Sequence, residues 1–207
     1  MAKKARAGGR AGSRTVALDK LQPSEAMVVL ERLIAAHPEF RTEAEQIARS
    51  VLGTVSFESV ADDVEDAVRQ LDLDDLNGRA GRHSWGYTEP GEAAWELLEE
   101  AVEPFVDEMK RHLDLGLEAE ALQICLGVVL GLYQLHNDTE AEFLSWAPDF
   151  PEEAAGNIVA DWVKASKPGT TGRGRGRNRA ALLRKFVEQH VPEWPWIWDR
   201  VAGGKGK

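Results

Sequence analysis

Cysteine is almost absent from this 207-residue chain, where Cys125 stands alone. One thiol forms no internal disulfide and builds no multi-cysteine zinc site, and it fits a reducing compartment. Long apolar runs are missing too. No stretch approaches the roughly 20 apolar residues of a membrane span. The N-terminus is basic (Lys3, Lys4, Arg6, Arg10, Arg14) with no apolar segment behind it, so it does not read as a secretory signal. Tyrosine is scarce at two residues, against seven tryptophans, of which Trp194, Trp196 and Trp198 crowd together near the C-terminus. Nowhere do apolar and polar residues alternate as in a half-buried strand. These absences point to a cytoplasmic protein with no membrane segment, built from helices.

The short motifs of common chemistry are also missing. There is no Gly-x-Ser-x-Gly elbow for a serine nucleophile and no His-Glu-x-x-His pair for zinc. Cys125 and His136 are eleven residues apart on one helical pattern, some 16 Å, too far to share an ion. The acidic stretch from Asp72 to Gly78 fails as a calcium loop. Counted from Asp72, position 5 is Leu76, position 6 is Asn77 and position 12 is His83, where the loop needs an oxygen ligand, Gly and Glu. The glycine-rich stretch from Gly169 lacks the Gly-Lys-Ser/Thr of a phosphate loop. The sequence offers no catalytic residue, no cofactor site and no metal ligand, and it reads as non-enzymatic.

What is there is a partition of charge. Residues Leu21 to Val163 hold 8 Lys or Arg against 31 Asp or Glu, a net of −23, inside a chain of net −10. The first twenty residues carry +5 and Lys164 to Lys207 carry +8. Helical periods run through the acidic body. Met27, Leu30, Leu33 and Ile34 recur at three- and four-residue steps behind Ser24, a candidate cap. Thr42 and Glu45 form a capping-box pattern ahead of Ile47, Val51 and Leu52. Ser59 with Asp62 resembles another helix start, and Val60, Val64, Val68 and Leu71 give that segment one apolar stripe. A polar, glycine-punctuated loop is expected from Leu73 to Glu89.

The strongest amphipathic period runs from Glu92 to Leu113, with Pro104 expected to kink it or mark a first turn. Its polar side (Glu96, Glu99, Glu100, Glu103, Asp107, Glu108) reads as a solvated face. Gly116 suits a C-terminal cap, and a far more apolar segment, Glu118 to His136, follows at once and packs antiparallel. Within it Gly127 and Gly131 lie one turn apart, where a neighbouring helix backbone could come close. Helical signals recur at Glu152–Ala165 and Asn178–His190. The expected fold is all-α: antiparallel helix pairs stacked as a helical-repeat-like array or an irregular bundle. Residues 1–15 form a disordered basic tail, 16–165 the helical domain, 166–178 a Gly/Arg-rich linker, and 179–207 a last helix with the Trp-rich segment.

Two features stand outside this packing logic. Arg173, Arg175, Arg177 and Arg179 alternate with glycine or asparagine, a cationic strip able to meet phosphates or an acidic protein surface without base-specific contacts. Trp194, Trp196 and Trp198 supply either an interface or a plug over one end of the helical stack.

The block from Gly86 to Phe105 (GYTEPGEAAWELLEEAVEPF), continuing through Gly116–Leu122 to Gly127–Tyr133, resembles the helical region of uncharacterised prokaryotic proteins that often carry a SWIM zinc finger. The likeness covers about residues 71–135. The finger itself needs Cys-x-Cys followed by Cys-x-His, which one cysteine cannot supply, so its zinc and DNA-binding roles do not carry over. What the resemblance implies is a helical adaptor surface with no catalytic residues. The sequence therefore leads to a scaffold that binds a protein partner, with a nucleic-acid-associated protein using its basic flanks as the alternative.

Overall fold

The computed structural model describes residues 17–84, 86–136, 138, 142–166 and 173–197, with backbone only at 17, 142 and 173–180. The expected tail (1–15) and Trp198 lie outside the described residues. The chain divides into two compact units, Met1–Ala48 and Arg49–Lys207.

The described part of the first unit holds short 3-10 turns at Ala17–Lys20 and Pro38–Phe40, helix α1 (Pro23–Ala36) and most of α2 (Arg41–Leu52). Gln22 rather than Ser24 precedes α1, and the Glu25 carboxylate accepts from the Gln22 backbone N–H at 2.9 Å. The Thr42 box is pre-empted because α2 runs on directly from the 3-10 turn. Neither helix contains a buried residue.

The second unit carries the core. It contains α3 (Phe57–Arg69), α4 (Leu73–Arg79), strands β1 (Gly81–His83) and β2 (Gly86–Thr88), α5 (Pro90–Asp114), α6 (Glu118–His136), a 3-10 turn at Glu142–Trp146, α7 (Phe150–Ala165) and α8 (Arg173–His190). Helices dominate, as the periodicity predicted. α6 is the centre, with eleven buried residues on all sides, and α3, α5, α7 and α8 pack around it. A helix apolar all round is what a central position demands. By length and composition α6 could also cross a membrane, contrary to the expectation that no segment reaches that threshold. In this fold 67% of its apolar window is buried in protein.

Local chemistry sets the joints. Ser56, not Ser59, caps α3: its Oγ accepts from the Ser59 N–H at 3.2 Å. Gly116, at φ 71°, closes α5 with paired bonds from Gly116 N to Leu113 O and from Leu117 N to His112 O. This is the arrangement that left-handed glycine permits at a helix end, and it turns the chain into α6 within three residues. The glycines of α6 let α3 approach, with Val60, Ala61 and Val64 against Gly127 and Gly131. Pro104 removes one backbone N–H but does not end the helix, and α5 runs 25 residues from Pro90 to Asp114 with Pro104 inside it.

Three expectations are corrected. The loop predicted at 73–89 contains α4, whose first turn is capped by Asp72 Oδ1 accepting from the Asp75 N–H at 2.9 Å. The stretch weighed as a calcium loop is thus an acidic helix start, favoured by the helix dipole. Beyond it lies an antiparallel hairpin pairing Gly81 with Thr88 and His83 with Gly86, too short to show an alternating pattern. Finally, α8 begins at Arg173, so half of the predicted linker is helical; arginine's helix propensity and the anchoring of Leu183, Phe186 and Val187 in the core outweigh its glycines.

Candidate interaction groove

α5 and α7 both lie against α6 and run in the same direction. Trp95 meets Phe150 edge-on at one end, with ring centroids 5.1 Å apart, and Lys110 Nζ reaches Asp161 at 4.0 Å at the other. Between them lies a groove of about 370 Å³. Its apolar floor comes from Val102, Val106, Phe150, Ala154 and Ile158. Glu96, Glu99, Glu100 and Glu103 line the α5 side, and Asn157 and Asp161 the α7 side. Two helices that bury their inner stripes against a common third one leave such a furrow between their shoulders.

The carboxylates of this rim differ in what neutralises them. Arg79, from α4, forms a bidentate pair with Glu100 at 2.8 and 2.9 Å and reaches Glu96 at 3.7 Å. That hydrogen-bonded guanidinium holds the Glu100 carboxyl below its ordinary range, and Glu100 raises Arg79 in return. Asp161 has Lys164 at 3.2 Å as well as Lys110. Glu99 accepts the Trp95 indole N–H at 3.0 Å, which fixes the ring, but has no cationic partner among the described residues. Glu103 makes no hydrogen bond or ion pair among them. Two unneutralised carboxylates therefore sit one helical turn apart, where like charges repel.

Comparison with family models, curated proteins and solved structures returned no match. What the molecule can do must be read from its own surfaces.

The residues singled out from the sequence fall in three places. Arg173, Arg175, Arg177 and Arg179 occupy the first two turns of α8. Trp194 is buried, edge-on to Tyr133 at 5.2 Å and tilted against His136 at 5.5 Å, both on α6. It belongs to the core of the second unit. Trp196 is half-buried beside it, at 6.1 Å between ring centroids.

Two groups of reactive type, Cys125 and His112, lie in the interior. Burial pushes the Cys125 thiol up to about 12, so it stays protonated at neutral pH. His112 is buried with Nδ1 against the Glu108 carbonyl oxygen at 2.9 Å. Among the described residues no group of three or more His, Cys, Asp or Glu stands close enough to hold a metal.

Sequence reasoning saw the α5 carboxylates as a solvated face and missed the groove, because α7 supplies its second wall. One signal was present. Trp95 interrupts the acidic side of α5 with a large aromatic that full solvation does not call for.

Proposed function

We propose that this protein is a non-enzymatic helical scaffold that binds a protein partner in the groove between α5 and α7. The observation that carries this reading is an apolar floor, open to solvent, between two rims of carboxylates. Apolar concavities rimmed by polar residues are where partner side chains gain most from leaving water. The likeness of residues 71–135 to a helical adaptor region points the same way.

A photo-crosslinking amino acid at position 157, in the full chain expressed in its host, tests the reading. One discrete adduct is expected, and Ala154→Arg, which fills the groove from its half-buried edge, should remove it. No adduct, or one indifferent to Ala154→Arg, would count against the groove.

A second reading keeps the basic flank in play. α8 starts at Arg173 with no acidic residue in its first turn, and a helix N-terminus with added guanidinium groups attracts phosphate. A nucleic-acid-associated role predicts DNA or RNA binding with a steep salt slope, lost when Arg173, Arg175, Arg177 and Arg179 become Ala. Absence of an electrophoretic shift at about 50 mM salt would end it.

A further inference from the structure

We infer that the occupant of the α5–α7 groove is a basic amphipathic helix of a partner protein, with Lys or Arg side chains set over Glu99 and Glu103. The inference rests on the scaffold reading and names the chemistry of the partner. Length comes first. The lining residues run from Trp95 to Val106 on α5 and from Phe150 to Asp161 on α7. Eleven residue steps of helix span about 16 Å, which accommodates three turns of a docked helix.

Backbone chemistry decides its conformation. Both groove walls are helices, and apart from the carbonyl four residues before Pro104 and the first turn of α7 their N–H and C=O groups bond within the helix along the lining stretch, so an extended peptide would find no ladder of main-chain partners there. A helix satisfies its own backbone and brings only side chains to the floor. The floor, centred on Val102, Val106 and Ile158, suits apolar anchors at i, i+4 and i+7.

Charge then selects the flanks. Glu96 and Glu100 share Arg79, and Asp161 has two lysines, whereas Glu99 and Glu103 have no cation among the described residues. A Lys or Arg between them would relieve their mutual repulsion. The half-buried Trp95 ring, held by Glu99, lines the Phe150 end of the groove, an aromatic on which an arginine of the occupant would stack. An acidic or neutral helix would leave both carboxylates facing uncompensated charge at a closing interface, which is costly.

The test is selection from a displayed library of sixteen-residue amphipathic helices whose polar positions are randomised, with the immobilised full chain as bait. Peptides that also bind Ala154→Arg are discarded. Retained peptides are expected to carry net positive charge beside an apolar i, i+4, i+7 stripe. They should bind the double variant Glu99→Lys, Glu103→Lys at least about tenfold more weakly, and peptides with Lys and Arg exchanged for Glu should recover that loss. Both glutamates are exposed, and circular dichroism of the double variant checks that it folds. Retained peptides that are neutral or acidic, or indifferent to the charge reversal, would overturn the basic partner while leaving the groove as a docking site. If no peptide distinguishes the intact chain from Ala154→Arg, the groove reading falls together with the inference.

Discussion

A methyl group at Gly127 would lie 2.5 Å from the Val60 Cβ and 2.7 Å from the Phe57 carbonyl oxygen, closer than packed atoms tolerate. The neighbour is partly backbone, so relief requires α3 to move as a body. Gly127→Ala is therefore expected to destabilise by about 1–3 kcal/mol, the range of overpacked cores. Gly78, within α4, has nothing within 4 Å of the same added atom. There Ala gains helix propensity and should stabilise by about 0.5–1 kcal/mol. Opposite signs in the urea midpoints are the check, and a stabilised Gly127→Ala would refute the close approach. A second residue-level effect depends on pH. Burial raises the Glu65 carboxyl, with Arg69 at 2.8 Å only partly offsetting it and Asp62, Asp138 and Asp66 adding to it. A raised folded-state value means that its contribution to stability is fully present below the unfolded carboxylate pKa and is lost as pH rises through the folded one. Stability of Glu65→Gln relative to the native chain should thus be more favourable at pH 7 than at pH 3. A gap that shrinks on going to pH 7 would show that the Arg69 pair dominates instead.

Among the elements, α8 and the segment after it pack onto α3 and α6 through aromatic contacts. Phe57 at the start of α3 meets Phe186 edge-on at 5.4 Å and His190 at 5.1 Å, and Trp194 then folds onto α6 beside Tyr133. Trp194→Ala is expected to cost about 3–5 kcal/mol as a buried aromatic truncation. Trp196→Ala should cost much less, because its ring is only half-buried. Equal shifts in thermal midpoint would mean that the two rings share the load and that Trp194 is not the anchor. The long elements were legible because each carries its own period: α5 and α6 follow directly from the spacing Leu97, Leu98, Val102 and from an unbroken apolar run. The cap at Gly116 and the glycine contact on α6 were legible for the same reason, since each is written in local sequence. Hairpin β1–β2 was not, because three-residue strands are too short to alternate and its ladder depends on pairing across a turn. The start of α8 was missed because glycine between arginines looks like linker until Leu183 and Phe186 anchor the helix from its far end. The groove escaped for a third reason. Its floor belongs to α5 and α7 together, and no single segment contains both walls.

For the whole molecule, charge is the property that no single element explains. Between Leu21 and Val163 there are 31 acidic and 8 basic residues, so most carboxylates there have no cation within the same stretch. The described ion pairs agree with that arithmetic. Arg69 serves Glu65 and Asp138, Arg79 serves Glu96 and Glu100, and Lys110 and Lys164 both attend Asp161. These pairs are largely exposed, and such pairs contribute little stability each. Repulsion among the remaining carboxylates is spread over the helix surfaces at separations where ordinary salt screens it, since the Debye length falls from about 30 Å at 0.01 M to about 8 Å at 0.15 M. Screening should then relieve more repulsion than it removes attraction. Adding sodium chloride from about 0.01 to 0.15 M at pH 7 is expected to raise the thermal midpoint of the full chain by a few degrees, with most of the rise inside that interval. At pH 4, where the carboxylates begin to protonate, the same addition should do less. A midpoint that falls with salt at pH 7 would mean that attraction, not repulsion, governs the surface.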